Sequence, residues 1–407
     1  MPSQDPFSEL IAPFSRRGVD LGLERLQAAL AEMGHPERRF AAVQVAGTNG
    51  KGSISTMLHA IAGAAGIRCG LYTSPHLLSW CERIRLPNGL IAEAALKDLL
   101  QELQPLALRH NLTPFELVTA AAMQAFANAG VELAVLEVGL GGRLDATTVH
   151  PDRQVLAFAS IGLDHTEHLG PTIGAIAVEK AGVLHRSATA VSGPQPPEAA
   201  AVLRQQASQQ DCSLRWVQPL PSAAEGGPLL GLRGDLQRLN AAVAYGAAEA
   251  LAERGWPINT AAIQTGLQQA RWPGRLEHRQ FQGHPLLVDG AHNPPAAAAL
   301  RQELDQRTHE QGLPRRWLIG MQRHKDAPQL LQSLVREGDL VRVVALPAEH
   351  NSWSAAELQA ASGRPLETGA ADLATNLAWL VDSPALPVAC GSLYLVAELL
   401  PLLQATD

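Results

Sequence analysis

The chain has little of what would mark a membrane protein, a disulfide scaffold or a nucleic-acid binder. Aromatic residues make up only 4% of its 407 residues, so the core must be built from Ala, Leu, Val and Ile. The four cysteines, Cys69, Cys81, Cys212 and Cys390, are scattered without a C-x-x-C pair. That excludes a zinc ribbon or disulfide framework and fits a reducing compartment. Basic residues do not predominate: 32 Lys and Arg against 39 Asp and Glu give a net charge of −7, which offers no footprint for a polyphosphate backbone. Long apolar runs are missing too. The uncharged stretch from Leu117 to Val131 contains Thr, Gln, Asn and Gly and falls short of the ~20 apolar residues of a membrane span. Met1-Pro2-Ser3-Gln4-Asp5 has no basic region leading into an apolar run, so no signal peptide is expected. The expectation is a soluble, cytoplasmic protein with neither nucleic acid nor membrane as partner.

What is present is ordinary globular composition, 46% hydrophobic and 17% charged, at a length that suggests two or three domains. Short apolar runs that end in Gly and lead into helical periodicity recur. Phe40 to Ala46 reads as a buried strand, followed by a Gly-rich turn and then Ile54, Met57, Leu58 and Ile61 at helical spacing. Leu133 to Val138 and Val155 to Ile161 read as further strands, and the alternation predicts a doubly wound α/β sheet. The pattern restarts after Trp272-Pro273-Gly274-Arg275, with strands expected at Leu286–Val288, Trp317–Gly320, Leu340–Leu346 and Val388–Cys390. Two domains are therefore expected, residues 1–273 and 274–407. Ser192 to Pro197 and Pro219 to Pro228 read as Pro/Gly-rich loops within the first.

Gly47-Thr48-Asn49-Gly50-Lys51-Gly52-Ser53 lies between the first strand and the first helix. Glycines let backbone N–H groups close around phosphate oxygens, and the helix N-terminus adds partial positive charge. Lys51 would reach the β/γ-phosphates. The strict P-loop spacing fails, because Val45 stands where the first Gly belongs and Gly52 separates Lys51 from the Ser53 hydroxyl. By itself the segment could be an ordinary Gly-rich turn. Glu137 ends an apolar strand, at the sheet edge where ligands bind in open α/β folds, and a carboxylate there suits Mg²⁺.

GTNGKGS resembles the ATP-binding loop of the Mur ligase superfamily, and its Gly-Ser ending resembles the folate branch, folylpolyglutamate synthase/dihydrofolate synthase. Further blocks carry the resemblance over nearly the whole chain: Asp20–Arg25, Tyr72–Leu77, Leu136–Thr147, Leu163–Thr166, Glu179–Gly182, Pro273–Arg275, Asp289–Pro294 and Gly391–Val396. The sequence departs from the pattern at Thr148, where Asn is usual, and by one extra residue between His150 and Gln154. The resemblance implies a Mur-ligase-like ATPase domain followed by a smaller Rossmann-like α/β domain. It implies an ATP-dependent ligase that adds L-glutamate to a pterin or folate carboxylate through an acyl phosphate, acting on dihydropteroate, tetrahydrofolate or both, as a monomer.

By resemblance, Thr48, Asn49, Gly50, Lys51, Gly52, Ser53, Asn240, Arg275 and Asp289 contact ATP. Ser74, Glu137 and His165 are implied Mg²⁺ ligands. Lys180 is implied to be carbamylated, its new carboxylate helping to hold a second Mg²⁺; on its own it would read as a surface Lys beside Glu179. Asp20-Leu21-Gly22, Thr113-Pro114-Phe115-Glu116 and Leu144-Asp145-Ala146 would surround the pterin. Phe115 suits ring stacking but equally suits a core anchor. His292 would act catalytically, toward glutamate. The competing readings are a P-loop NTPase, a non-catalytic nucleotide module and a muramyl-peptide ligase. Only 46 residues precede Gly47, fewer than the ~50 of small independent domains, which favours the folate branch over the three-domain muramyl plan.

Overall fold

Strands that are apolar at nearly every position can only be covered on both faces, and that is how the sheet around the Gly-rich loop is built. In the computed structural model, which describes residues 6–12, 20–310, 312–347 and 350–405, β1 (Ala41–Ala46) and β5 (Leu133–Glu137) are buried at every residue. The other strands of this sheet are β2 (Cys69–Tyr72), β3 (Ile84–Leu86), β4 (Gly89–Leu90), β6 (Arg153–Phe158), β7 (Thr189–Ser192) and β8 (Ser213–Trp216). Their spatial order is β4-β3-β2-β5-β1-β6-β7-β8. Pairing is parallel from β2 through β8, and the β3–β4 hairpin closes one edge antiparallel. Met1–Asp5, on which the reading of the chain start rests, lie outside the described residues.

The helix after β1 runs Lys51–Ala64 and buries Ile54, Met57, Leu58 and Ile61 on one stripe. It packs on the helix Thr260–Gln269 so closely that a Cβ on Gly266 would lie 2.4 Å from the Ile61 backbone. Pro114 takes the first position of the helix Pro114–Asn128, where its missing N–H costs nothing, and Thr113 and Glu116 form a capping box. β6 is shorter than its apolar run: pairing stops at Phe158, because Ala159–Ile161 turn their backbone groups to the Gly-rich loop and to Gln195.

The chain divides into two units by its contacts. The first comprises residues up to Gly231 together with Gln237–Arg271; the second comprises Leu232–Leu236 and the chain from Trp272 onward. The second unit contains β9 (Glu277–Phe281), β10 (His284–Val288), β11 (Arg316–Ile319), β12 (Leu340–Val343), β13 (Glu367–Thr368), β14 (Val388–Cys390) and β15 (Gln404–Ala405). They are ordered β13-β12-β11-β14-β10-β9-β15. All neighbours are parallel except at β9, which pairs antiparallel with both β10 and β15. Its core includes the fully buried Trp317 between Leu330, Leu331 and Val388. Among the described residues no helix is long and apolar enough to cross a membrane, and all four cysteines are free and buried.

Candidate active site

The Gly-rich loop depends on two glycines for space and torsion. Gly47 has φ +142°, and a Cβ there would sit 2.6 Å from the Ala159 Cβ; Gly50 has φ +98°, and a Cβ would sit 2.4 Å from Asn240 Oδ1. Asn240 thus lies directly against the loop, buried and oriented by donating from Nδ2 to Gln237 Oε1 at 3.0 Å. The far side of the loop is pinned to the exit of β6. Thr48 N–H donates to Ser160 O at 2.7 Å, and the Thr48 hydroxyl both donates to Gly162 O and accepts from Gly162 N–H, each at 3.1 Å.

Two lysines converge on this loop. Lys51 Nζ donates to Thr48 O at 3.2 Å, and Lys180 Nζ donates to Gly47 O at 2.8 Å. Lys180 is only 5% exposed, at the C-terminal end of the helix Ile173–Ala181. Burial, reinforced by the positive charge of Lys51, pushes its pKa down to about 7, against the opposing pull of Asp164 and Asp145. The surface-lysine alternative does not describe this side chain: Lys180 points inward while its neighbour Glu179 pairs with Arg143 at 2.9 Å.

Glu137 is the last residue of β5, while Ser74 and His165 lie in the chain beyond the C-terminal ends of β2 and β6. Ser74 N–H donates to the buried Glu137 carboxylate, Oε2, at 3.4 Å. His165 stands at φ +50° as the N-cap of a short helix, its N–H bonded to Asp164 Oδ1 at 3.0 Å. Among the described residues, no group of three or more His, Cys, Asp or Glu could hold a metal ion. Of Ser74, Glu137 and His165, the Ser74 hydroxyl and the Glu137 carboxylate are oxygen donors of the kind Mg²⁺ prefers, whereas the His165 imidazole is not.

Asp145 braces the turn that follows Glu137. Its Oδ2 accepts from Gly139 N–H and Leu140 N–H at 2.9 and 3.0 Å, and its Oδ1 from Thr147 N–H at 2.9 Å. Burial raises its pKa while these bonds pull the other way. The adjoining Thr147 and Thr148 hydroxyls both accept from Gln44 Nε2 at 2.8 Å, and Thr148 donates to Gly142 O at 2.7 Å. Thr148, where the sequence departs from its family pattern, is thereby integrated into the brace, and Arg153 completes the network by donating to Gln44 Oε1 at 2.7 Å. Gln44 is a polar residue in an otherwise apolar, fully buried strand, a signal the sequence offered.

Phe115 sits over this turn. Its ring would touch a Cβ on Gly139 at 2.5 Å, and its centroid is 5.9 Å from that of Tyr72. Arg25 joins two of the segments expected around the pterin: its Nε lies 3.3 Å from both Glu116 oxygens, and its Nη1 and Nη2 bond Asp20 Oδ2 and O at 3.0 and 2.6 Å. Leu21, Gly22 and Leu144 are partly exposed, whereas Ala146 is buried. Sequence reading quoted Arg25 and Asp164 only within motifs and gave Gln44 and Gln195 no part.

In the second unit, Asp289 follows β10 and is nearly buried. Its two oxygens accept from Leu276 N–H and Ala291 N–H, both at 2.8 Å. Burial raises its pKa, and the neighbouring Arg275 opposes that rise. Arg275 Nη1 bonds Gly274 O at 3.3 Å. His292 Nδ1 donates to Gly290 O at 2.8 Å. Asn293 caps the helix Pro294–Asp305.

Residues 275–402 match the family described as dihydrofolate synthetase, C-terminal domain. A probable dihydrofolate synthetase of Schizosaccharomyces pombe is 33% identical over 340 residues, covering 79% of this chain and 81% of the relative. The folylpolyglutamate synthase of Lacticaseibacillus casei is 32% identical over 402 residues, 92% of each. Among solved structures, E. coli FolC in complex with DHPP and ADP has a TM-score of 0.82 at 29% identity over 98% of each chain. A bifunctional folylpolyglutamate synthase/dihydrofolate synthase with Mn, AMPPNP and L-glutamate bound has a TM-score of 0.83 at 29% identity, again over 98% of each. The chain belongs to the folylpolyglutamate synthase/dihydrofolate synthase family of ATP-dependent glutamate ligases.

Proposed function

We propose that this enzyme joins L-glutamate to the carboxylate of a pterin acceptor, taking both dihydropteroate and tetrahydrofolate, as a cytoplasmic monomer that uses Mg²⁺ at two sites. The observation that carries the reading is the convergence of Lys51 and Lys180 on adjacent carbonyls of one Gly-rich loop, beside the buried carboxylate of Glu137. Lys51 aimed at a backbone cradle suits a polyphosphate, and the buried Lys180 amine beside it, its pKa lowered to about 7, suits carbamylation. The DHPP, ADP, AMPPNP, Mn and L-glutamate held by the related structures support the same assignment.

A carboxylate accepts an amine poorly because its oxygen is a bad leaving group, so the γ-phosphoryl group is first moved onto it. Lys51 and the N-terminus of its helix would spread the charge of that transfer. Thr48, Asn49, Gly50, Gly52 and Ser53 would bind the phosphates and Asn240 the adenine side. Arg275 and Asp289 are assigned further nucleotide contacts. Ser74, Glu137 and His165 would hold a Mg²⁺, which when bound neutralises phosphate charge. Lys180, with a pKa near 7, presents a neutral amine whose lone pair would attack CO₂ with loss of one N–H proton, and as a carbamate it would offer the hard oxygen donors that Mg²⁺ prefers. Asp20–Gly22, Thr113–Glu116 and Leu144–Ala146 would bind the pterin, with Phe115 on its ring and Asp145 fixing the turn. His292, its Nδ1 donating to Gly290 O, would act toward glutamate. Residues 1–273 would act as the nucleotide and acceptor domain, and 274–407 as the domain that supplies Arg275, Asp289 and His292.

The test supplies ATP, Mg²⁺ and L-glutamate with dihydropteroate or tetrahydrofolate in turn and identifies products by mass. Glutamylated products from both acceptors, with phosphate release that requires acceptor and glutamate, are expected. Phosphate release independent of glutamate would refute the reading.

A further inference from the structure

Parallel pairing of β6 with β7 ends at Phe158 and Ser192. Past that point the chain enters Gly193-Pro194, and a proline has no N–H to give to a ladder. Gln195 supplies the missing rung with its side chain. Its Oε1 accepts the Ile161 N–H at 2.8 Å, and its Nε2 donates to Ala159 O at 3.0 Å. A further bond from Nε2 to Ser192 Oγ, at 3.2 Å, ties the amide to the buried end of β7.

The other edge of Ala159–Ile161 carries the Gly-rich loop. Ala159 N–H donates to Ala46 O at 2.8 Å, and Thr48 and Asn49 N–H both donate to Ser160 O, at 2.7 and 3.2 Å. Ser160 Oγ returns a bond to Asn49 O at 3.0 Å. Gly47 approaches Ala159 too closely for any side chain at 47. These three residues are a strut with the loop on one edge and the Gln195 amide on the other.

We propose that Gln195 is a positioning residue for the nucleotide site. Its amide presses Ala159–Ile161 against Gly47–Asn49 and so sets where the loop's backbone N–H groups point. The proposal rests on reading Gly47–Ser53 as the nucleotide loop. Replacing the amide by an apolar side chain leaves the Ile161 N–H and Ala159 carbonyl without their partner. Glu keeps the acceptor but sets a carboxylate oxygen against Ala159 O, so it is the harsher change.

The experiment compares the full-length enzyme with Gln195→Met, which keeps the stem's packing, and Gln195→Glu. It measures calorimetric binding of AMPPNP with Mg²⁺, the KM for ATP, acceptor and glutamate, and hydrogen exchange at the Ile161 amide. AMPPNP affinity is expected to fall about tenfold in Gln195→Met and further in Gln195→Glu, the size seen when outer-shell partners of a ligand site are removed. KM for acceptor and glutamate should stay within about twofold, and Ile161 should exchange faster. AMPPNP binding unchanged in both variants, or all three KM values rising in step, would overturn the proposal. Wild-type enzyme that does not bind AMPPNP would overturn the loop reading itself, and the proposal with it.

Discussion

Lys180→Met removes an amine that is buried, bonded to Gly47 O and repelled by Lys51. Its pKa falls from 10.5 to about 7, a shift worth roughly 5 kcal/mol at 1.36 kcal/mol per unit. Because the folded value is depressed, stability is undiminished above pH 10.5 and is lost as pH falls toward 7. At pH 7.5 about three quarters of the folded-state amine is neutral, against roughly one part in a thousand at the ordinary pKa. The unmodified lysine therefore opposes folding at neutral pH by up to about 4 kcal/mol, before its hydrogen bond to Gly47 is counted. In CO₂-free buffer at pH 7.5, Lys180→Met is expected to melt no lower than wild type, and the gap should narrow toward pH 9. With ¹³C-bicarbonate, wild type should show a carbamate resonance that the variant lacks. Ligation should fall by at least about a hundredfold, and added formate or acetate should partly restore it in Lys180→Ala. Full ligation by Lys180→Ala without additive, or no carbamate signal in wild type, would refute the reasoning.

Lys51→Ala is expected to lower phosphoryl transfer and ligation together by ~10²–10³-fold, the loss on removing one donor from developing charge. Its circular dichroism should be unchanged, and near-wild-type turnover would contradict the ATP-site assignment. Arg275→Ala should impair turnover more than thermal stability, because its Nη1 bonds a carbonyl next to it in the chain, Gly274 O, and that bond ties no distant segments together; a lower melting temperature with unaltered kinetics would mark it as structural. His150 is fully buried, and burial, with help from Arg153, pushes its pKa down to about 3. Its depressed value makes stability full above pH 6.5 and lost as pH falls toward 3, by about 2 kcal/mol between pH 6.5 and 5. Urea unfolding across that window should show a shallower slope in His150→Asn, and an equal slope would contradict the assignment.

Where local signals were strong, the sequence was readable. The apolar run before Gly47 and the stripe Ile54, Met57, Leu58, Ile61 became a buried strand and a packed helix. Pro114 fell at a helix start, where its fixed ring torsion and missing N–H cost least. The strands that escaped notice were short or polar: Cys69–Tyr72 and Thr189–Ser192 are buried but only four residues long, Glu277–Phe281 is only partly buried over most of its length, and others, such as Glu367–Thr368 and Gln404–Ala405, have two residues each. Their pairing is decided by neighbours distant in sequence, which periodicity does not report.

Chemistry divides along the same line. The residue types alone offered a Gly-rich loop able to cradle phosphate but equally readable as an ordinary turn, a strand-end carboxylate and a lysine of ambiguous purpose, because backbone N–H groups, glycine torsions and hard oxygen donors have few substitutes in such a site. Only tertiary structure turned Lys180 inward, since its solvation depends on the Gly47 carbonyl 133 residues away in the chain. It alone made Asp145 a brace, Arg25 a link between Asp20 and Glu116, and Gln195 the rung that a proline omits. A side chain's type states which bonds it can make; which partner it finds, and how far water is excluded there, is set by packing between segments that the sequence keeps apart.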